Sequence, residues 1–136
     1  MKAISTNIRN AVLLFLLICI NSCQKSPING DLDGQWKVIE VSPQPLKHTI
    51  DADLYYCFYM HTCMLTYYEG ITFAGNFIFE DDTIHIDFPY ASSDADMEIL
   101  NQYGINSNPV NFTIELLNNK RMILHDGETT ISLIKF

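Results

Sequence analysis

From Gln35 to the C-terminus the chain is written in short runs of alternating apolar and polar residues, cut by turn-forming residues. A repeat of two marks a strand with one buried face, because successive side chains point to opposite sides of a sheet. Ile71, Phe73, Gly75, Phe77 and Phe79 share one parity; Thr72, Ala74, Asn76 and Glu80 share the other, together with Ile78. Gly75 in the middle of this run predicts a bulge or bend. Asp81-Asp82 predicts a turn, after which Ile84, Ile86 and Phe88 alternate with His85 and Asp87 as a second, antiparallel strand. Val110, Phe112, Ile114 and Leu116 alternate with Asn111, Thr113 and Glu115. Asn118-Asn119 and Asp126-Gly127 are hairpin signals, since these residues tolerate positive φ. They bracket a strand from Arg121 to His125, and Thr129 to Phe136 forms the last one. Gln35 to Val41 is the first, ended by Pro43 and Pro45.

Two segments depart from this rhythm. Leu54 to Tyr68 is apolar on both parities. One strand of that length is long against the usual five or six residues. Two strands about a tight turn near Met60 to Thr62 fit better; a helix is the alternative, opposed by the many Tyr and Thr. Ser93-Asp94-Ala95-Asp96 has the form of a capping box with Asp at its third position, and Met97, Leu100 and Tyr103 follow at helical spacing before Gly104. This predicts a helix from about Asp94 to Tyr103. The expected fold is mainly β: an eight-stranded antiparallel up-and-down barrel, with one short helix between the fifth and sixth strands. Closure removes exposed edges, and eight strands enclose either packed side chains or one small ligand.

Composition narrows the function classes. Hydrophobic residues make up 48% and charged residues 18%, which excludes a disordered chain. The net charge is −8, and Lys2 and Arg9 lie in the N-terminal segment, so the remainder is more acidic still. Binding nucleic acid through phosphates needs the opposite sign. Between Lys47 and Lys120 there is no basic residue and there are eleven acids. A solvated acidic surface is the plain reading; repulsion from anionic lipid headgroups is the other.

The N-terminus reads as a leader. Met1 to Asn10 carries Lys2 and Arg9, and Ala11 to Ile20 is an apolar run of ten. A membrane-spanning helix takes about 20 residues, so ten match the core of a signal peptide instead. Ile20-Asn21-Ser22-Cys23 then resembles a bacterial lipobox. The resemblance implies cleavage before Cys23 and lipidation of its thiol, with two or more acyl chains holding the protein stably in a membrane. Gln24 stands where Asp would imply inner-membrane retention, so the same pattern implies an outer-membrane lipoprotein. The expected divisions are a signal peptide over 1–22, a lipidated tether over 23–33 and the barrel over 34–136.

Gly34-Gln35-Trp36, opening the first strand, resembles the Gly-x-Trp signature of lipocalins. In that family the Trp closes the barrel floor and a basic residue from a late strand covers it; the resemblance implies Arg121 or Lys135 for that role. It also implies a cavity for a small apolar ligand, which Trp36, Phe73, Phe77, Phe79 and Phe112 would line. If these large side chains, with Phe88, all point inward, they fill the barrel instead.

Other constellations are sparser. Cys57 and Cys63 form an even pair, and a hairpin centred on Met60 would set them opposite each other. A disulfide and two free buried thiols are both open readings. Cys57, His61 and Cys63 with His48, His85 or His125 lack the close ligand spacing of a structural zinc site, so no metal and no other cofactor is expected. Glu80-Asp81-Asp82 lacks a calcium-loop pattern. No nucleophile elbow, zinc-protease motif or phosphate loop is present, and an enzyme is not expected. Tyr55, Tyr56, Tyr59, Tyr67 and Tyr68 put aromatic rings on both parities, so one set faces outward. That set would either bind an envelope protein or glycan, or pack beneath the helix. Two function classes follow: a lipid-anchored carrier of a small apolar ligand, and an interaction module with a filled barrel and an active exterior.

Overall fold

Turn chemistry organises the barrel. In the computed structural model, which describes residues 5–13, 27–43, 53–67 and 70–136, eight strands follow one another. They are β1 (Gly34–Ser42), β2 (Leu54–Tyr59), β3 (Thr62–Tyr67), β4 (Gly70–Glu80), β5 (Thr83–Asp87), β6 (Val110–Leu117), β7 (Arg121–His125) and β8 (Thr130–Lys135). Each pairs antiparallel with its neighbour, and β1 pairs with β8 to close the barrel. Met60 and Asp81 adopt φ of 55° and 52° in the turns before β3 and β5. The Asn118 side chain accepts from the N–H groups of Lys120 and Arg121, and that of Asp126 from those of Glu128 and Thr129. Short polar residues thus satisfy the turn backbone locally, as Asn and Asp do.

The odd-numbered strands begin at one end, here the floor, where a 3-10 turn (Gly30–Leu32) enters β1. The other end carries the helix Asp94–Gln102, which joins β5 to β6. Its capping box forms as predicted: Ser93 Oγ accepts from the Asp96 N–H, and the Asp96 carboxylate accepts from the Ser93 N–H. These bonds hold the Asp96 carboxyl below the usual carboxylate range. The segment leaving the helix packs onto this end. Tyr56 donates to the Tyr103 carbonyl at 2.7 Å, and Leu100 and Ile105 are fully buried. Gly104 adopts φ of 82°, and a side chain there would strike Ile131 and Val41. Asn108 ties the crossing together, bonding the backbone of Phe88 and Ala91.

Gly75 is not a bulge. Cys63 pairs with Gly75 and Met64 with Ala74 in continuous register; the irregularity lies at Leu65/Thr66. Gly75 faces inward, and a Cβ there would lie 2.7 Å from Phe88 Cδ1. The missing side chain makes room for the Phe88 ring, which is 1% exposed just after β5. Residues 5–13 are helical and exposed. Positions 14–26, including most of the apolar run and Cys23, lie outside the described residues. No described helix is long and apolar enough to cross a membrane.

Candidate functional site

The floor is built around Trp36. Its Nε1 donates to the Leu32 carbonyl at 2.8 Å, so the 3-10 turn lies directly beneath the ring. Lys135, from the last strand, sits with Nζ 4.6 Å from the ring centroid. The same ammonium donates to the Asp31 carbonyl at 2.7 Å and the Asp33 carbonyl at 2.6 Å. Of the two bases expected over Trp36, Lys135 takes the place. Arg121 is exposed at the start of β7, paired with Ile134. Asn29 completes the seal, donating to the Asp33 carboxylate and to the Met60 carbonyl.

Between floor and helix the described core is closely packed. Trp36, Tyr56, Leu65, Ile84, Ile86, Phe112, Met122, Leu124 and Ile131 each have 0% exposure. A side chain bordering an internal void as wide as a water molecule would retain surface, so these border none. Phe58 and Phe77 meet edge to face at 5.2 Å, and Phe73 and Phe88 lie tilted to each other at 6.4 Å. Of the residues expected to line a ligand cavity, Trp36, Phe77 and Phe112 are buried in the core cluster. Phe73 and Phe79 are half-buried at its margins. Among the described residues every buried side-chain nitrogen and oxygen has a hydrogen-bond partner, so none is left to orient a central ligand.

A cleft opens at the floor, on the side away from Trp36. A cleft of about 300 Å³ is lined by Phe79, Ile114 and Leu117, with Asp81, Asp82, Glu115 and Leu116 around it. Sequence reasoning passed over Ile114 and Leu117 because simple alternation assigns them opposite faces. The register shift between Ile114 and Leu116 turns both toward the cleft.

The cysteines require a correction. The β2–β3 connection has two residues, Met60 and His61, with Tyr59 paired to Thr62. The hairpin centre falls between residues rather than on Met60. Phe58 therefore opposes Cys63, and Cys57 opposes Met64. Cys63 points into the core, Cys57 points outward, and both are free thiols. Burial pushes the Cys63 thiol well up, and the Cys57 thiol up in spite of Thr66 beside it. The histidines are dispersed: His85 pairs with Asn111 at 2.7 Å, and His125 faces Thr129 and Thr130. His48 lies outside the described residues. Among those described, no three His, Cys, Asp or Glu side chains converge as metal ligands.

The aromatic segment divides as its double parity requires. Leu54, Tyr56 and Phe58 enter the core, whereas Tyr55, Cys57 and Tyr59 face outward. Tyr55 meets Phe136 edge to face at 5.2 Å, and Lys37 pairs with Asp53 beside them at 2.6 Å.

Comparison with known proteins agrees with this architecture. A crystal structure of a lipocalin-like protein from Bacteroides uniformis aligns with a TM-score of 0.61 at 23% identity, over 79% of this chain and all of that one. An uncharacterized protein from Bacteroides eggerthii aligns with a TM-score of 0.54 at 20% identity, over 76% of this chain and 98% of that one. At such identities the likeness shows the fold alone. No curated protein is significantly similar. The sequence profile of the lipocalin-like domain family matches residues 16–136, and with its closed eight-stranded barrel the chain belongs to that family.

Proposed function

We propose that this protein is a non-enzymatic lipoprotein of the bacterial cell envelope, held in the outer membrane by lipidated Cys23, that works through the outside of a filled barrel. The observation carrying this reading is the close packing of the described core. Trp36, Lys135 and the 3-10 turn cover the floor, the tail of the helix packs onto the other end, and nine core residues between them have no exposed surface. A lipocalin-like barrel packed this way behaves as a rigid body whose contacts are made by its exterior, where Tyr55 and Tyr59 face outward. The anchor is supported by the lipobox-like Ile20-Asn21-Ser22-Cys23 behind its apolar run. A second reading has a specific observation in its favour. The floor cleft, with Phe79, Ile114 and Leu117 half-buried, would hold a small apolar molecule.

Mass spectrometry of protein purified from its own host separates these readings. The denatured chain is expected to begin at Cys23 and carry acyl chains, and the native spectrum to show no additional small molecule. An unmodified N-terminus elsewhere overturns the anchor. A non-covalent apolar adduct that disappears in Leu117→Asp transfers the function to the cleft.

A further inference from the structure

The floor presents two unlike edges. On one, where β8, β1 and β2 meet, four large apolar side chains stand in solvent: Ile28 at 65% exposure, Tyr59 at 66%, Met60 at 46% and Phe136 at 75%. Hydrogen bonds tie them to one another's neighbourhood. Asn29, next to Ile28, donates to the Met60 carbonyl at 2.9 Å, and the Phe136 N–H donates to the Gln35 carbonyl at 2.9 Å. Phe136 also rests against Tyr55. The positive charges of the floor lie toward this side. Lys135 is fixed over Trp36, Lys120 is bonded through its backbone to Lys135, and Arg121 follows on β7. Asp31 and Asp33 are also here, but the Lys135 ammonium sits on their carbonyls and the Asp33 carboxylate is engaged by Asn29. The opposite edge is the β4–β5 turn with Glu80, Asp81 and Asp82, and Glu115 lies near it. In an eight-stranded ring β4 and β5 stand across from β8 and β1.

The chain itself places the apolar edge. Five residues lie between Cys23 and Asn29, so these six Cα–Cα steps span at most about 21 Å even when fully extended. Exposed Tyr, Phe, Met and Ile side chains held that close to a bilayer match the interface, which accepts aromatic rings with a polar tip and apolar side chains at its depth. We propose that the edge formed by Ile28, Tyr59, Met60 and Phe136 is a bilayer-docking surface, seated at the headgroup–acyl boundary of the membrane that holds Cys23. Docking deepens the exterior-surface function given above and rests on its anchor. It tilts the barrel so that the acidic β4–β5 turn and the floor cleft face away from the lipid.

The test uses the full lipidated protein reconstituted in phosphatidylcholine vesicles whose acyl chains carry bromine, a quencher of tryptophan fluorescence. Trp36 is the sole native tryptophan and supplies the background. Tyr59→Trp and Phe136→Trp are the probes. Tyr90→Trp is the control, 87% exposed and just before the helix at the other end of the barrel. Flotation of the vesicles is read first, and protein that fails to float overturns the anchor and the docking with it. With the protein afloat, the Tyr59 and Phe136 probes are expected to be quenched roughly two-fold or more above the Tyr90 control. Equal quenching at all three positions overturns the docking and leaves the anchor standing.

Discussion

Gly75→Ala should destabilise this barrel far more than a surface glycine substitution would. The added methyl would lie 2.5 Å from the Asp87 carbonyl oxygen, 2.7 Å from Phe88 Cδ1 and 3.0 Å from its Cε1. The obstacle is partly backbone of the neighbouring strand, where Asn76 pairs with Asp87, so a rotamer change cannot relieve it. Overpacking a tight core costs about 1–3 kcal/mol, and an immovable carbonyl places this site near 3. In a domain of this size that corresponds to a fall in Tm of roughly 10–20 °C. Urea unfolding of wild type, Gly75→Ala, Phe88→Leu and the double variant forms a mutant cycle. Trimming Phe88 should recover roughly 1 kcal/mol of the Gly75→Ala loss, a coupling expected of residues in contact. A Gly75→Ala protein within about 0.5 kcal/mol of wild type, or strictly additive changes, would refute the placement of the Phe88 ring over Gly75.

Lys135→Met removes two charged hydrogen bonds and the contact with Trp36. At this half-exposed site we expect a loss of about 2–3 kcal/mol in urea unfolding, against little change for Arg121→Met. Ser93→Ala should cost about 1 kcal/mol through loss of the helix cap. The folded Asp96 carboxyl lies below its unfolded value, so its stabilisation is complete above the unfolded carboxylate pKa. It is lost as pH falls through the folded one; Asp96→Asn should flatten that acid limb in unfolding curves, whereas Ser93→Ala, which keeps the Ser92 and Ser93 N–H donors, should only reduce it. Thiol labelling of the native protein should be slow at Cys57 and absent at Cys63 until unfolding; no new labelling after unfolding without reductant would restore the disulfide.

The sequence made the architecture legible because alternation, turn chemistry and the Ser93–Asp96 cap all act locally. The β4–β5 turn, the Asp126-Gly127 hairpin and the helix needed no distant partner to be recognised. Barrel closure was legible less directly, through eight strands with no means of covering two open edges. The facing of Cys57 and Cys63 across the hairpin was misplaced because a hairpin's register depends on whether its connection has two residues or three, and a one-residue slip turns a side chain to the other face. The role of Gly75 depended on Phe88, thirteen residues later, reaching back across a strand. The floor cleft was invisible for a like reason, since the irregularity at Ile114/Leu116 breaks the parity that alternation relies on. Whether inward phenylalanines line a ligand or fill a core is a question of volume, and volume is not written in a pattern of parity.

That volume is tested most directly by unfolding Phe77→Ala beside the wild type. Phe77 is 3% exposed, lies against Phe58 and stands in the middle of the longest strand. In a packed barrel its truncation opens a void and should remove about 3–5 kcal/mol of stability. A loss below about 1 kcal/mol would mean that the ring borders space already open, and the filled-barrel account would be wrong.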